Sequence, residues 1–140
     1  MSHSLKILPL ILYVAIGCVS LLMAIKSIFS RKFLPFHEEA YGKKWETIES
    51  NLQLVFLALL KISGLGFLVI ALLLLSAPVF NYFKPNLYFQ YFVPFIAFLF
   101  SLGLFIFNYF LAKRTNAKTP WKNSLVVMIV ILICIFLSSL

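Results

Sequence analysis

Four long apolar runs, separated by short polar segments, fill most of this 140-residue chain. A helix needs about 20 apolar residues to cross the hydrocarbon core of a bilayer, and each run is close to that length. The runs are Ile7 to Phe29, Leu52 to Phe80, Leu87 to Ala112 and Ser124 to Leu140. The pattern predicts four membrane-spanning helices in one domain, residues 1–140, with spans at about 7–29, 52–80, 87–112 and 120–140.

The start of the fourth span is marked by Thr119, Pro120 and Trp121. Threonine is a common N-cap, proline is favoured at the first helical position, and tryptophan is enriched at the membrane interface. We therefore expect the fourth helix to begin near Pro120, with Thr119 as its cap.

Composition supports a membrane protein, because 63% of the residues are hydrophobic and only 11% are charged. A soluble fold of this composition would expose a large apolar patch. The predicted fold class is all-α, an integral membrane four-helix bundle. Small residues are spaced for close helix contacts in the first three spans; they are Ser20, Ala24, Ser63, Gly64, Gly66, Ser101 and Gly103.

The polar segment between the first two spans, residues 30–51, contains all four acidic residues of the chain. Large apolar side chains such as Phe33, Tyr41 and Trp45 alternate there with charges, which is typical of amphipathic helices in the headgroup layer. Pro35 and Gly42 are expected to break these helices. The segment is predicted to be a short interfacial hairpin.

The basic residues predict the orientation. Cytoplasmic loops are enriched in Lys and Arg. On one side of the predicted membrane the basic residues are Lys6 and Lys84. Nine lie in or beside the first and third loops: Lys26, Arg31, Lys32, Lys43, Lys44, Lys113, Arg114, Lys118 and Lys122. We expect those loops in the cytoplasm and both termini outside, in a bacterial inner membrane.

The net charge of +8 could indicate a nucleic-acid partner in a soluble protein. Here the charges flank the spans, where anionic lipid headgroups supply the opposite charge. The expected partner is therefore the lipid bilayer and not nucleic acid.

Lys61 interrupts the second apolar run, ten residues or about 15 Å along a helix from Asn51. An ionisable residue at that depth is a candidate for function. It would then face Asn108 or Tyr109, with Glu46 or Glu49 below, in a polar pocket open to the cytoplasm. The alternative is that the second helix starts early and Lys61 extends to the headgroups.

Adjacent His37, Glu38 and Glu39 suggest a metal or acid–base site, but neighbours on a helix point about 100° apart and do not converge on one ion. We expect no metal, no catalytic group and no cofactor. The competing interpretation is that Glu38 and Glu39 pair with Lys43, Lys44 or the basic residues of the third loop, while His37 lies at the membrane surface. The candidate ligand-binding set is Lys61, His37, Glu38, Glu39, Glu46, Glu49, Asn108 and Tyr109.

Several classes of membrane protein are disfavoured. No Asp or Glu lies within a predicted span, so an antiporter that exchanges protons at a buried carboxylate is not indicated. His3 and His37 lie outside the spans and do not form a haem-ligating pair. Cys18 and Cys134 are too far apart in sequence for a redox dithiol motif.

A set of short motifs, completed by Thr119-Pro120-Trp121, resembles an uncharacterised family of small bacterial proteins with four transmembrane helices. The other motifs are Pro35-Phe36-His37, Glu39-Ala40, Gly42, Trp45 and Leu52-Gln53. The architecture is also distantly similar to DoxX-like membrane proteins. These resemblances imply a shared architecture and no activity.

Two functional hypotheses follow. The favoured one is a non-enzymatic binding or accessory subunit that contacts lipid, another membrane protein or a second copy of itself, because catalytic groups are lacking. The alternative is a small-molecule transporter or membrane enzyme with a cytoplasm-facing polar pocket around Lys61 and His37.

Overall fold

The computed structural model describes residues 3–83 and 87–139, and the regular structure within them is entirely helical. The elements are α1 (His3–Ile28), α2 (Pro35–Tyr41), a 3-10 turn (Trp45–Thr47), α3 (Ser50–Phe83), α4 (Leu87–Thr115) and α5 (Trp121–Ser139). Four of them are long and apolar enough to cross a membrane, over Ile7–Ile28, Ser50–Asn81, Gln90–Thr115 and Trp121–Ser138. The predicted all-α membrane bundle is confirmed.

The ends of the helices differ slightly from the sequence prediction. α3 begins two residues earlier and ends three residues later than expected, and its 34 residues make it about 50 Å long, well beyond the ~30 Å hydrocarbon core. α5 begins at Trp121, one residue after the predicted start. Lys84, used in the orientation prediction, and Leu140, the predicted last helical residue, lie outside the described residues.

Thr119 does not have the predicted capping role. Its hydroxyl donates a hydrogen bond to the backbone carbonyl of Asn108, at 2.7 Å. The threonine therefore fastens the loop between the last two helices to α4 instead of capping α5.

The four long helices form two closely packed pairs. α1 packs mainly against α3, and α4 packs mainly against α5, while thinner contacts between α3 and α4 and between α1 and α5 close the bundle. We call the end that carries α2 and the α4–α5 loop the basic end, and the opposite end, where α1 begins and α5 finishes, the terminal end. Each helix thus has two neighbours in a roughly square arrangement.

Glycines bring α1 and α3 together. A Cβ atom on Gly64 would lie 2.8 Å from Cγ1 and 3.1 Å from the backbone nitrogen of Ile28, and one on Gly17 would lie 2.8 Å from Cγ of Leu75. The close contact expected at Gly64 is confirmed. A Cβ atom on Gly103 would meet no neighbouring helix within 4 Å, so the expectation that this glycine marks a helix contact is wrong.

Side chains from all four long helices fill the terminal half of the bundle. Hydrogen bonds also close the α4–α5 pair at this end, where the side-chain amide of Gln90 donates to the carbonyl of Ser138 at 2.8 Å. The core cluster consists of Tyr13, Ile16, Ile70, Leu74, Ala77, Val93, Ala97, Ile131 and Cys134. Because interiors pack to near-crystalline density, this half leaves little room for a ligand.

Candidate ligand-binding cavity

The basic half of the bundle contains a cavity of about 590 Å³ between the two helix pairs. Its floor is formed by Ile16, Ile70 and Ile131, which also belong to the packed core. All four long helices and α2 contribute to its walls, and most of the lining side chains are apolar. The volume falls within the roughly 300–1,000 Å³ that is usual for small-molecule sites.

The short helix α2 covers the mouth of the cavity at the basic end. It packs against α4, and its residues Phe36, His37, Ala40 and Tyr41 line the cavity. Leu34, just before α2, is buried. The segment between α1 and α3 therefore encloses the cavity and is part of the site.

Hydrogen bonds hold α2 in this position. Gly42 ends the helix in the left-handed conformation, with φ 74°, and its N–H donates to the carbonyl of Glu38 at 2.9 Å. The backbone N–H of Trp45 donates to Oε1 of Glu38 at 3.1 Å, and the side-chain amide of Gln53 on α3 donates to the carbonyl of Trp45 at 2.8 Å. This chain of contacts joins α2 to the start of α3.

An aromatic cluster around Phe33 supports the same segment. The Phe33 ring centroid lies 4.9 Å from those of Trp45 and Phe56 and 6.3 Å from that of Tyr41. Offset and edge-to-face pairs at such distances add roughly 0.5–1.5 kcal/mol each beyond their buried area. Since Phe56 belongs to α3, the cluster holds the segment that covers the cavity, here called the cover, against the α1–α3 pair.

Some residues that line the cavity are also exposed on the surface of the bundle. Their positions mark where the wall of the cavity is open. Leu59 and Ser63 on α3 and Phe107 on α4 lie along the seam between those helices. Val19 on α1 and Asn123 on α5 lie along the opposite seam. In a bilayer these seams face lipid, so the cavity is accessible from the side.

Uncharged polar groups are interspersed in the lining. His37 and Asn108 lie toward the basic end, and the side-chain amide of Asn108 donates to the carbonyl of Leu104 at 2.8 Å. Ser20, Ser27 and Ser101 are buried along the walls. Among the described lining residues there is no Asp, Glu, Lys or Arg. The cavity therefore suits an uncharged guest.

His37 packs among aromatic side chains. Its ring lies 4.0 Å from the Phe36 ring and 5.6 Å from the Phe33 ring, between centroids. Its Nδ1 atom is buried and has no hydrogen-bond partner among the described residues. Burial lowers the pKa of His37 below its ordinary value, so the imidazole is neutral at neutral pH.

Lys61 lies away from the cavity. Leu60 and Ser63, one residue before and two residues after Lys61, line the cavity, whereas Lys61 is exposed and is not part of the lining. Gly64 contacts Ile28, the last residue of α1, and Lys61 is one turn nearer the basic end. This position near the basic end of the bundle favours the alternative in which the Lys61 ammonium group extends to the headgroups.

The carboxylates also stay outside the cavity lining. Glu39, Glu46 and Glu49 are exposed. In the described part of the chain no ion pair is found, so Glu38 and Glu39 do not pair with Lys43 or Lys44; Glu38 accepts the Trp45 N–H instead.

Tyr109 faces outward from α4 and packs against Trp121, with ring centroids 5.7 Å apart. Of the eight candidate residues, the structure thus brings only His37 and Asn108 to the cavity. No group of three or more His, Cys, Asp or Glu side chains within residues 3–83 and 87–139 could hold a metal ion. Cys18 is exposed, Cys134 is buried, and both are free.

Sequence reasoning missed several residues that shape the site, notably Phe33, Ser27 and Gln53. Ser27 had a usable signal, because it lies seven residues after Ser20 and therefore on the same face of α1. Phe33 and Gln53 were noted only as part of the amphipathic segment and of a short motif, and nothing in the sequence assigns them to a site, since their partners are set by how the segment folds back on α3.

Comparisons with known proteins give no relative: no family model, no curated protein and no solved structure matches the chain. The resemblances to small four-span proteins and to DoxX-like proteins stay predictions.

Proposed function

We propose that this membrane protein is a non-enzymatic binding protein for an amphipathic, lipid-like molecule, which it holds in the cavity between the two helix pairs. The supporting observation is an apolar cavity of about 590 Å³ that is closed at its floor and reached through seams facing lipid. A molecule already dissolved in the bilayer could enter without crossing water. A second membrane protein or a second copy of the chain could bind outside this site.

The packed terminal half favours binding over transport. A transporter must open a route to the other side in a second conformation, and the packed layer of Ile16, Ile70 and Ile131 at the floor of the cavity would have to separate for that. The alternative pocket predicted around Lys61 also lacks support, because that lysine is on another face of α3. Binding with release to the same side is the simpler function for such a cavity.

The charge distribution supports an orientation with the basic end in the cytoplasm of a bacterial cell. The cavity would then lie at the level of the inner leaflet. Exposed lysines and arginines around α2 and the α4–α5 loop, such as Lys43 and Lys118, would contact anionic headgroups.

Cysteine labelling tests this orientation. In a background with Cys18→Ser and Cys134→Ala, single cysteines are introduced as Lys43→Cys and Lys118→Cys at the basic end and as Phe83→Cys at the other end. A membrane-impermeant maleimide should label the Phe83→Cys variant in intact spheroplasts and the other two only after lysis. The reverse labelling pattern would show that the basic end faces outward.

A blocked cavity should lose its ligand. Ser63 lines the cavity at the α3–α4 seam and is exposed, so Ser63→Trp can place an indole in the opening with little cost to the fold. Native mass spectrometry after purification in a mild detergent should detect a lipid-like molecule on the unmodified protein and much less on this variant.

The matched control is Ile62→Trp, one residue away on the exposed, non-lining side of α3. It should retain the bound molecule at the level of the unmodified protein. Equal retention by the Ser63→Trp and Ile62→Trp proteins would contradict binding in the cavity.

A further inference from the structure

The unpartnered nitrogen of His37 indicates what the ligand must offer. Nearly all buried polar groups in proteins have a hydrogen-bond partner, and leaving one without a partner is costly. Nδ1 of His37 is buried without one among the described residues, in a side chain that lines the cavity. A ligand in the cavity is in position to supply the missing partner.

The character of that partner follows from the surroundings of His37. The imidazole packs beside two phenyl rings, those of Phe33 and Phe36. The described lining contains no Asp, Glu, Lys or Arg to balance a charge. A buried charge without an opposite charge is strongly disfavoured. A charged headgroup would therefore be a poor guest next to His37.

We propose, building on the binding function above, that the ligand is a long-chain amphiphile with an uncharged hydroxyl head, and that this hydroxyl hydrogen-bonds Nδ1 of His37. A hydroxyl both donates and accepts, so it can pair with either neutral tautomer of the imidazole. A fatty alcohol, a monoacylglycerol or a diacylglycerol has this chemistry.

The shape of the cavity sets the direction of the chain. His37 lies at the covered mouth, and the lining of α3 runs from Phe56 to Ile70, fourteen residues or about 21 Å along the helix. The head then lies under α2 and the tail points to the floor at mid-membrane. Ser27, Ser101 and Asn108 offer further uncharged polar contacts along the way.

The test compares three probes of equal chain length on the full-length protein in lipid nanodiscs. Hexadecanol has the hydroxyl, hexadecane has no polar head, and palmitate carries a negative charge at mildly alkaline pH. Their binding is measured by displacement of a fluorescent alkyl probe from the unmodified protein, from His37→Phe and from His37→Gln. Phenylalanine keeps an aromatic ring without hydrogen-bonding atoms, whereas glutamine keeps hydrogen-bonding capacity.

In the unmodified protein, hexadecanol should bind about tenfold more tightly than hexadecane, which corresponds to about 1.4 kcal/mol. Comparing this ratio between variants cancels the different partitioning of the probes into the nanodisc. The ratio should be much smaller in the His37→Phe protein and largely restored in the His37→Gln protein. Palmitate should bind more weakly than hexadecanol.

The outcomes separate this inference from the proposed function. If hexadecanol and hexadecane both displace the probe, and their ratio is the same in the unmodified and His37→Phe proteins, the hydroxyl contact is refuted while cavity binding stands. Tightest binding by palmitate would refute an uncharged head. If no probe binds to the unmodified protein, or if Ser63→Trp leaves displacement unchanged, cavity binding itself is refuted.

Discussion

Replacing Gly64 with alanine should destabilise the bundle by about 1–3 kcal/mol, because a side chain is forced into a filled contact. The added Cβ would lie 2.8 Å from Cγ1 of Ile28, 3.0 Å from Cβ of Ser27 and 3.1 Å from the backbone nitrogen of Ile28. The backbone atom cannot rotate away, so α1 and α3 must separate at the basic end. Reversible unfolding in mixed detergent micelles measures the loss.

The control for this prediction is Gly103→Ala. The added Cβ would meet no neighbouring helix within 4 Å. Because alanine loses less conformational entropy than glycine when the helix forms, the change should leave the stability of the bundle unaltered or raise it by roughly 0.5–1 kcal/mol. Gly64→Ala with the same stability as Gly103→Ala would mean that α1 and α3 do not pack as described.

Removing the Phe33 ring should release the cover of the cavity. Truncating a buried phenylalanine costs about 3–5 kcal/mol, and a half-buried one with several ring contacts should cost about 2 kcal/mol. Because the ring joins α2 to Trp45 and Phe56, the loss should fall mainly on this segment. Hydrogen exchange of the α2 amides, including the His37 N–H, should accelerate roughly 30-fold, and bound ligand should dissociate faster.

Phe29→Ala provides the comparison for Phe33→Ala. Phe29 follows α1, in the same connection, and is 75% exposed. Its truncation should leave exchange in α2 unchanged. Fast exchange in both variants would point to a general loosening of the connection, and unchanged exchange in the Phe33→Ala protein would contradict the role of the aromatic cluster.

The number and type of helices could be predicted from the sequence because the bilayer imposes one dominant constraint. A span must be apolar over a fixed length, and its backbone hydrogen bonds are internal to the helix. The extra length of α3 could not be predicted in the same way. Its first turns contain Asn51 and Gln53 and lie where hydropathy no longer distinguishes a helix from a loop.

The candidate site could be predicted only in part. His37 attracted attention beside Glu38 and Glu39 as a possible metal or acid–base site, and Asn108 as a residue that Lys61 would face. Both line the cavity. Lys61 was conspicuous only because it interrupts an apolar run. Such a run gives the position of a residue along the helix, but not the side of the helix on which its side chain lies. That side is set by which helices become neighbours.

The cavity itself has no signature in the sequence. It arises because the α1–α3 and α4–α5 pairs pack tightly within themselves and are joined mainly by the core cluster of the terminal half.

The role of Glu38 could not be predicted from the sequence either. Lys43 and Lys44, five and six residues away, suggested a surface ion pair, whereas the Glu38 carboxylate accepts the backbone N–H of Trp45, seven residues away, and helps to hold the segment that covers the cavity.

A high-resolution structure of the protein in lipid nanodiscs, enlarged by a bound antibody fragment, tests the account most directly. We expect an elongated density between the two helix pairs that extends from His37 to the layer of Ile16, Ile70 and Ile131, with its polar end within hydrogen-bonding distance of Nδ1. Helix pairs packed against each other in the basic half, with no space and no density between them, would contradict it.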